Sequence, residues 1–181
     1  MTGGPPERQS DPGLCWVLLT MGDRPDELSA SVSSLVGESS EIVVVHNGAE
    51  GDVEVPNGRV VSARENLGVP GGRDLGVSET QSPIIGFLDD DARLLTADAA
   101  RRISETFERD PGLGAISFRI VDDRGASSRR HVPRIGSASA ERSGPVVSFL
   151  GGACAIRRSA YEAAGGYWAD LFYAHEELEL A

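Results

Sequence analysis

The chain has 181 residues, enough for one domain with a proper core, and its 40% apolar and 25% charged content is that of a globular protein. Its formal net charge of −11 argues against a nucleic-acid backbone as partner. All 17 basic residues are arginine, which excludes chemistries built on lysine: a P-loop, a Schiff base, a Ser-Lys pair.

Met1 to Gly13 lacks an apolar core and reads as a disordered tail, not as a signal peptide. No apolar run reaches the length of a membrane span. Cys15 and Cys154 each lie in an apolar segment, and two such cysteines make neither a disulfide framework nor a metal cluster. A cytoplasmic protein is the expectation.

Cys15 to Thr20 reads as the first strand. Asp23 as N-cap and Pro25 in the first turn open a helix whose stripe is Leu28, Val32, Leu35 and Val36. Glu41 to His46 is a second buried strand, ended by Asn47-Gly48, and Val60-Val61 a short third one. A glycine-rich run, Gly68 to Gly72, leads into a helix from about Arg73 to Glu79. Ile84 to Leu88 is a further apolar strand, and it runs straight into Asp89, Asp90 and Asp91. Thr96 is placed to cap a helix marked by Ala100, Ile103 and Phe107. A strand is expected over Ala115 to Val121, an arginine-rich loop over Ser127 to Gly144, and a strand over Val146 to Leu150. Gly151-Gly152 marks a close approach, Ala153 to Ile156 continues extended, and Ser159 with Glu162 fits a capping box for a helix that Gly165-Gly166 stops. A last helix begins within Leu171 to Leu180. This alternation of strands and helices predicts an α/β fold with a mostly parallel central sheet.

The three aspartates carry the most chemical information. In open α/β sheets the ligand crevice lies outside the carboxyl ends of the strands, which is where they fall. Three adjacent carboxylates repel, and a hard divalent cation with oxygen ligands, Mg²⁺ or Mn²⁺, sharing its shell with substrate phosphates, compensates them. The alternative is a solvated acidic turn whose last aspartate caps the next helix. Other motifs are weaker. The glycine run lacks G-x-G-x-x-G spacing and follows the third strand, which excludes a dinucleotide fingerprint. His175-Glu176-Glu177-Leu178-Glu179 has glutamate where a zinc-protease helix needs its second histidine. Asp89-x-Asp91 lacks the downstream Thr or Val and the lysine of the haloacid-dehalogenase phosphatases.

Taken together these pieces resemble the family 2 glycosyltransferases, which have the GT-A fold, from about Leu14 to Ala181. The resemblance rests on five motifs in order. They are Val17 to Thr20 with Arg24-Pro25; Val43 to Gly48; Glu65-Asn66-Leu67-Gly68 with Gly72-Arg73-Asp74; Phe87 to Asp91; and Phe172 to Glu177. It implies sugar transfer from a nucleotide-diphosphate donor to an acceptor hydroxyl, usually with inversion and with Mn²⁺ or Mg²⁺. It also implies a nucleotide pocket of Thr20, His46, Asn47, Asn66 and Arg73, with Asp89 and Asp90 on the nucleotide-sugar and Asp89 and Asp91 as the D-x-D pair at the metal. Glu177 matches the acceptor-activating base, with Glu176 beside it as the other candidate. Arg73 is expected near the diphosphate.

The chain departs from the family pattern in three places. His46 stands where relatives often carry an aspartate against the base, Glu177 where aspartate is common, and relatives continue past Ala181 with an aromatic-arginine step and further helices. The expectation is therefore a tail over 1–13 and a GT-A domain over 14–181 lacking its C-terminal part. The acceptor is an unnamed saccharide or lipid-linked molecule, with peripheral association at the inner face of a membrane left open. Two other readings stand beside this one: a non-catalytic nucleotide-sugar-binding module and a sugar-nucleotide nucleotidyltransferase.

Overall fold

The computed structural model describes residues 13–39, 41–48, 51–133, 141–146 and 148–181. The tail expected over 1–13 lies outside this set except for Gly13, whose carbonyl accepts from the Ile84 N–H at 3.1 Å. Part of the arginine-rich loop, 134–140, also lies outside it.

The elements run β1 (Leu14–Thr20), α1 (Pro25–Leu35), β2 (Glu41–Asn47), β3 (Arg59–Ala63), α2 (Gly68–Ser78), β4 (Ile84–Asp89), α3 (Ala99–Arg109), β5 (Ala115–Ser117), β6 (Ala153–Arg157), α4 (Arg158–Ala164) and α5 (Glu176–Leu180). Short 3-10 turns cover Arg129–His131 and Ala169–Leu171. The strands form one six-stranded sheet in the order β3-β2-β1-β4-β6-β5. Strands β1 to β4 are mutually parallel, and β6 runs antiparallel to both β4 and β5. The sheet is mostly parallel, as the alternation of strands and helices predicts.

Burial on both faces explains why these strands read as continuous apolar runs. Along β1 the residues alternate between two cores. Leu14, Trp16 and Leu18 pack with Leu28, Val32 and Leu35 of α1 and Ala100, Ile103 and Phe107 of α3. Cys15 and Val17 pack on the other side with Val77 of α2 and Tyr161 of α4. Helix α2 begins at Gly68, earlier than the expected Arg73, because its glycines let it lie flat on the sheet. A Cβ at Gly72 would collide with Leu19, and one at Gly76 with Val17.

Other boundaries shift for identifiable reasons. Helix α1 has Pro25 at its first position, but Arg24 is the N-cap residue and no side chain caps it. Helix α3 starts at Ala99, beyond the expected Thr96; its free Ala100 N–H is taken by the buried Glu38 carboxylate at 2.9 Å. Helix α4 follows β6 directly, so the Ser159–Glu162 box does not form, while Gly165 ends the helix in the left-handed region as expected. Strand β5 stops at Ser117 because the chain turns on Asp122, whose side chain accepts from Arg124 and Ala126 N–H groups. The described residues between Val146 and Leu150 are not a strand; Leu150 enters a turn closed by the Ala153 N–H to its carbonyl. Among the described residues no helix is long and apolar enough to cross a membrane.

Candidate active site

The parallel strands β1, β2 and β4 bring Thr20, His46-Asn47 and Asp89 to one edge of the sheet, with Thr20 beside His46 and Leu19 beside Asp89. The chain reverses its winding direction between β1 and β4, the switch point where open α/β sheets hold ligands. A cavity of about 440 Å³, lined by Leu35, Val36, Glu41, Ile42 and Arg59, opens near the amino end of β2. It holds one ion pair of Arg59 with Glu41, away from the acids, and we place no chemistry there.

Thr20 is buried and accepts from the Gly22 N–H at 3.0 Å. His46 is buried too, and its Nε2 has no hydrogen-bond partner among the described residues. Such an atom is costly to leave unpaired in a finished core. Asn47 and Asn66 are committed to building. Asn47 Nδ2 donates to Asn66 Oδ1 at 3.1 Å and to the Gly68 carbonyl at 3.0 Å, and its Oδ1 accepts from Leu67 N–H. Asn66 Oδ1 also accepts from Gly68 N–H at 2.9 Å. The two amides thus fold the loop that opens α2.

A second group lies on the β4–β6 side. Arg73 is buried between the rings of Phe87 and Tyr167, each 5.8 Å from its guanidinium carbon. Its Nη1 lies 3.0 Å from Glu176 Oε1 and 3.8 Å from Glu177 Oε1, and its Nη2 lies 3.7 Å from Asp89 Oδ1. Glu177 Oε1 also accepts from the Gly151 N–H at 3.0 Å. The two glutamates differ in access: the Glu176 side chain is 5% exposed and that of Glu177 is 25% exposed. Glu176 Oε2 is buried without a partner among the described residues. Burial, with Glu177 alongside, pushes the Glu176 carboxyl above its ordinary range, and Arg73 opposes this. Glycine is needed at 151 and 152, because a Cβ there would collide with Arg73 and Glu177, or with Asp89.

The three aspartates diverge. Asp89 ends β4 with its side chain 60% exposed, yet enclosure by neighbouring groups raises its pKa, Arg73 lowers it, and Asp91, Asp90 and Glu177 add to the rise. Asp90 turns inward, 4% exposed, and burial raises its pKa against the Thr20 hydroxyl and Arg24. Asp91 is 51% exposed. Arg24 binds both, Nη2 at 2.7 Å from Asp90 Oδ1 and Nη1 at 2.5 Å from Asp91 Oδ2.

Among the described residues no three His, Cys, Asp or Glu side chains form a ready metal cage. Mg²⁺ and Mn²⁺ sites at phosphates do not require one; one or two carboxylates suffice, with phosphate and water oxygens completing the shell. The exposed oxygens of Asp89 and Asp91 are a donor set of that kind. Asp89 carries the charge of Asp90, Asp91 and Glu177 beside it, with Arg73 opposing them. The donor set fits such a cation.

The residues expected at the nucleotide pocket, the metal and the base lie along this edge or are linked to it by contacts. Sequence reasoning missed the grip of Arg24 on Asp90 and Asp91, the burial of Arg73 and which residues approach Gly151 and Gly152. The glycine pair at 151 and 152 was the available signal for the last.

The sequence profile of Glycosyl transferase family 2 matches residues 17–165. A search of curated protein sequences finds no match. Solved structures share the fold. The mannosyltransferase PcManGT from Pyrobaculum calidifontis, in complex with GDP-Man and Mn²⁺, aligns at TM-score 0.64 and 18% identity, over 92% of this chain and 52% of its own. S. aureus TarS 1-349 aligns at TM-score 0.67 and 13% identity over 92% and 53%, and its complex with UDP-GlcNAc at 0.65 and 12% over 92% and 52%. The chain spans about half the length of these structures.

Proposed function

The chain belongs to glycosyl transferase family 2, and from that premise we propose that it moves a hexosyl or deoxyhexosyl group from a nucleotide-diphosphate sugar to an acceptor hydroxyl, with inversion. The observation that carries this reading is the placement of Glu177. It is an accessible carboxylate, oriented by the Gly151 N–H, on the Arg73 cluster that also reaches Asp89 at the carboxyl edge of the sheet.

In this reading Thr20, His46, Asn47 and Asn66 line the nucleotide pocket, the amides by shaping the 66–68 loop. Asp89 faces the nucleotide-sugar, Asp90 lies buried behind it on Arg24 and the Thr20 hydroxyl, and Asp89 and Asp91 would hold Mn²⁺ or Mg²⁺. The cation, when bound, supplies Lewis-acid neutralisation of the leaving diphosphate. The acceptor oxygen attacks the anomeric carbon as the carbon–oxygen bond to phosphate breaks. The bonding pair leaves with the diphosphate, and the hydroxyl proton passes to Glu177. A positioned base of this sort contributes about 10²–10⁴ in rate. Residues 14–181 make the donor-binding unit, and the acceptor is a saccharide or lipid-linked molecule met in the cytoplasm or at the inner face of a membrane.

The reading is supported by family membership and by solved neighbours bound to GDP-Man with Mn²⁺ and to UDP-GlcNAc. Its test is titration calorimetry with UDP and GDP, each with Mn²⁺ and with a chelator. We expect binding with the cation, at least about tenfold weaker without it, and weakened again by Asp91→Asn, which removes a charged ligand at nearly constant shape. Equal affinity in chelator would overturn metal dependence, and no binding of either nucleotide would overturn the donor site.

A further inference from the structure

We propose that Arg24 is an unassigned member of the donor site: it is the counter-ion that a divalent cation displaces from Asp91, and once displaced it becomes a ligand of the donor's diphosphate. The inference rests on the function proposed above.

The argument starts from the asymmetry of the two bonds Arg24 makes. Its Nη2 is held by Asp90, a carboxylate that is almost wholly buried. Its Nη1 is held by Asp91, which is half exposed, and the Arg24 side chain is itself 44% exposed. Burial of Asp90 with a partner makes that bond expensive to break, because an unpaired charge would remain inside. The bond to Asp91 joins two wetted groups and is worth little. A cation arriving at Asp91 therefore breaks the weak half and leaves the strong half intact.

What remains is a guanidinium anchored through Asp90 beside β1, with Nη1 free. The planar fork of an arginine matches the paired oxygens of a phosphate as well as those of a carboxylate. A diphosphate sharing that cation would present such oxygens to the freed Nη1. Arg24 also follows the end of β1 by four residues and stands at the N-cap of α1, so a rigid element fixes its backbone. Arg73, the other arginine near the acids, is enclosed by Phe87, Tyr167 and Glu176 and has no comparable freedom.

Arg24 then opposes the cation alone and assists the diphosphate, so it couples the two ligands. Linkage makes that coupling reciprocal. The experiment uses two probes on the whole chain: Mn²⁺ alone, followed by electron paramagnetic resonance, and inorganic pyrophosphate at saturating Mn²⁺, followed by calorimetry. Arg24→Gln should bind Mn²⁺ alone about three- to tenfold more tightly, since it removes a positive charge next to the ligand. The same variant should bind pyrophosphate with Mn²⁺ at least about fivefold more weakly, the loss of one partly exposed charge-assisted bond. Arg24→Lys, which keeps the charge but cannot span both carboxylates, should fall between wild type and Arg24→Gln in both, and it serves if the glutamine variant folds poorly.

Opposite movement of the two affinities supports the proposal. Unchanged affinities, or both moving the same way, overturn it and leave Arg24 a surface ion pair. If wild type binds pyrophosphate equally with and without Mn²⁺, the exchange and the metal dependence fall together while the donor site stands. If wild type binds neither probe, the donor-site reading falls as well.

Discussion

Glu176 shows what a sequence leaves out about a single side chain. Glu176 and Glu177 stand out in the sequence, and on a helix they point about 100° apart, so at most one of them can meet the proposed acceptor. Burial decides between them, and burial of a charged residue has no local signature. Glu176 is the inner one, with Oε1 on Arg73 and Oε2 unpaired among the described residues. Its folded pKa lies above the ordinary 4.5, chiefly through burial. The proton is thus held more tightly in the folded than in the unfolded chain. The stabilisation it brings is complete below about pH 4.5 and is lost as pH rises through the folded pKa, each unit of displacement being worth about 1.4 kcal/mol. Glu176→Gln, which is neutral at every pH, removes this slope. We expect the unfolding free energy of wild type minus that of Glu176→Gln to fall as pH rises from 4.5, measured by denaturant titration at several pH values. A difference that stays flat would mean the carboxyl titrates as it does in the unfolded chain. Arg73 illustrates the same blindness. An arginine after a glycine run suggests an anion at a helix start, and nothing local indicates that Phe87 and Tyr167 enclose it.

Elements were legible where their signal was local. The apolar runs of β1, β2 and β4 and the stripe of α1 extend over six to eleven residues, and they lie where the pattern places them except for Val36, which follows the helix end and is exposed. Their boundaries failed where the deciding partner is distant in the chain. Helix α3 is the clearest case. Thr96 has the chemistry of a cap, but the N-terminal N–H of Ala100 is satisfied by Glu38, 62 residues earlier, whose carbonyl also accepts from Trp16 Nε1 at 3.2 Å. The buried glutamate ties α3 to the end of α1 against the core. Loss of a side-chain cap costs about 1 kcal/mol, or about 2–4 °C in Tm for a chain of this size. Glu38→Ala should lower Tm by at least that much in thermal denaturation, and Thr96→Ala by less. The reverse order would restore the local signal and make the Glu38 contact incidental. Strand β5 and the segment before Gly151 failed for a related reason. Whether an apolar run becomes a strand depends on a free edge to pair with, and the turn at Leu150 to Ala153 removes that edge for the described residues before it.

On the scale of the molecule, the candidate site is divided between two parts, joined by Arg73 to Glu176 and Glu177, by the Gly151 N–H to Glu177, and by a backbone contact at Phe172. The aspartates belong to the sheet, which is supported on both faces. Glu176 and Glu177 belong to α5, a helix of five residues reached through a segment in which Phe172, Ala174 and His175 all have positive φ, at 56°, 66° and 69°. Non-glycine residues held there cost about 1–3 kcal/mol each and persist only when the surroundings enforce them. The enforcement comes from the loop that Asn47 and Asn66 build. Val69 N–H donates to the Phe172 carbonyl at 2.7 Å, and Gly68, at φ +72°, allows the two backbones to touch. A side chain at Gly68 is doubly excluded, by the left-handed backbone and by collision with Phe172. Gly68→Ala should therefore undock the acid-bearing segment without entering either core. In hydrogen exchange followed by mass spectrometry we expect faster exchange over 169–181 and around the start of α2, with β1, β2 and β4 protected as in wild type. Exchange that accelerates evenly across the sheet would show that Gly68 supports the whole fold, and exchange unchanged over 169–181 would show that α5 is held by Arg73 and Gly151 alone. The expected pattern would make the loop of Asn47, Asn66 and Gly68 the support of the acid-bearing segment, so that its arrangement controls the reach of Glu177 toward the aspartates.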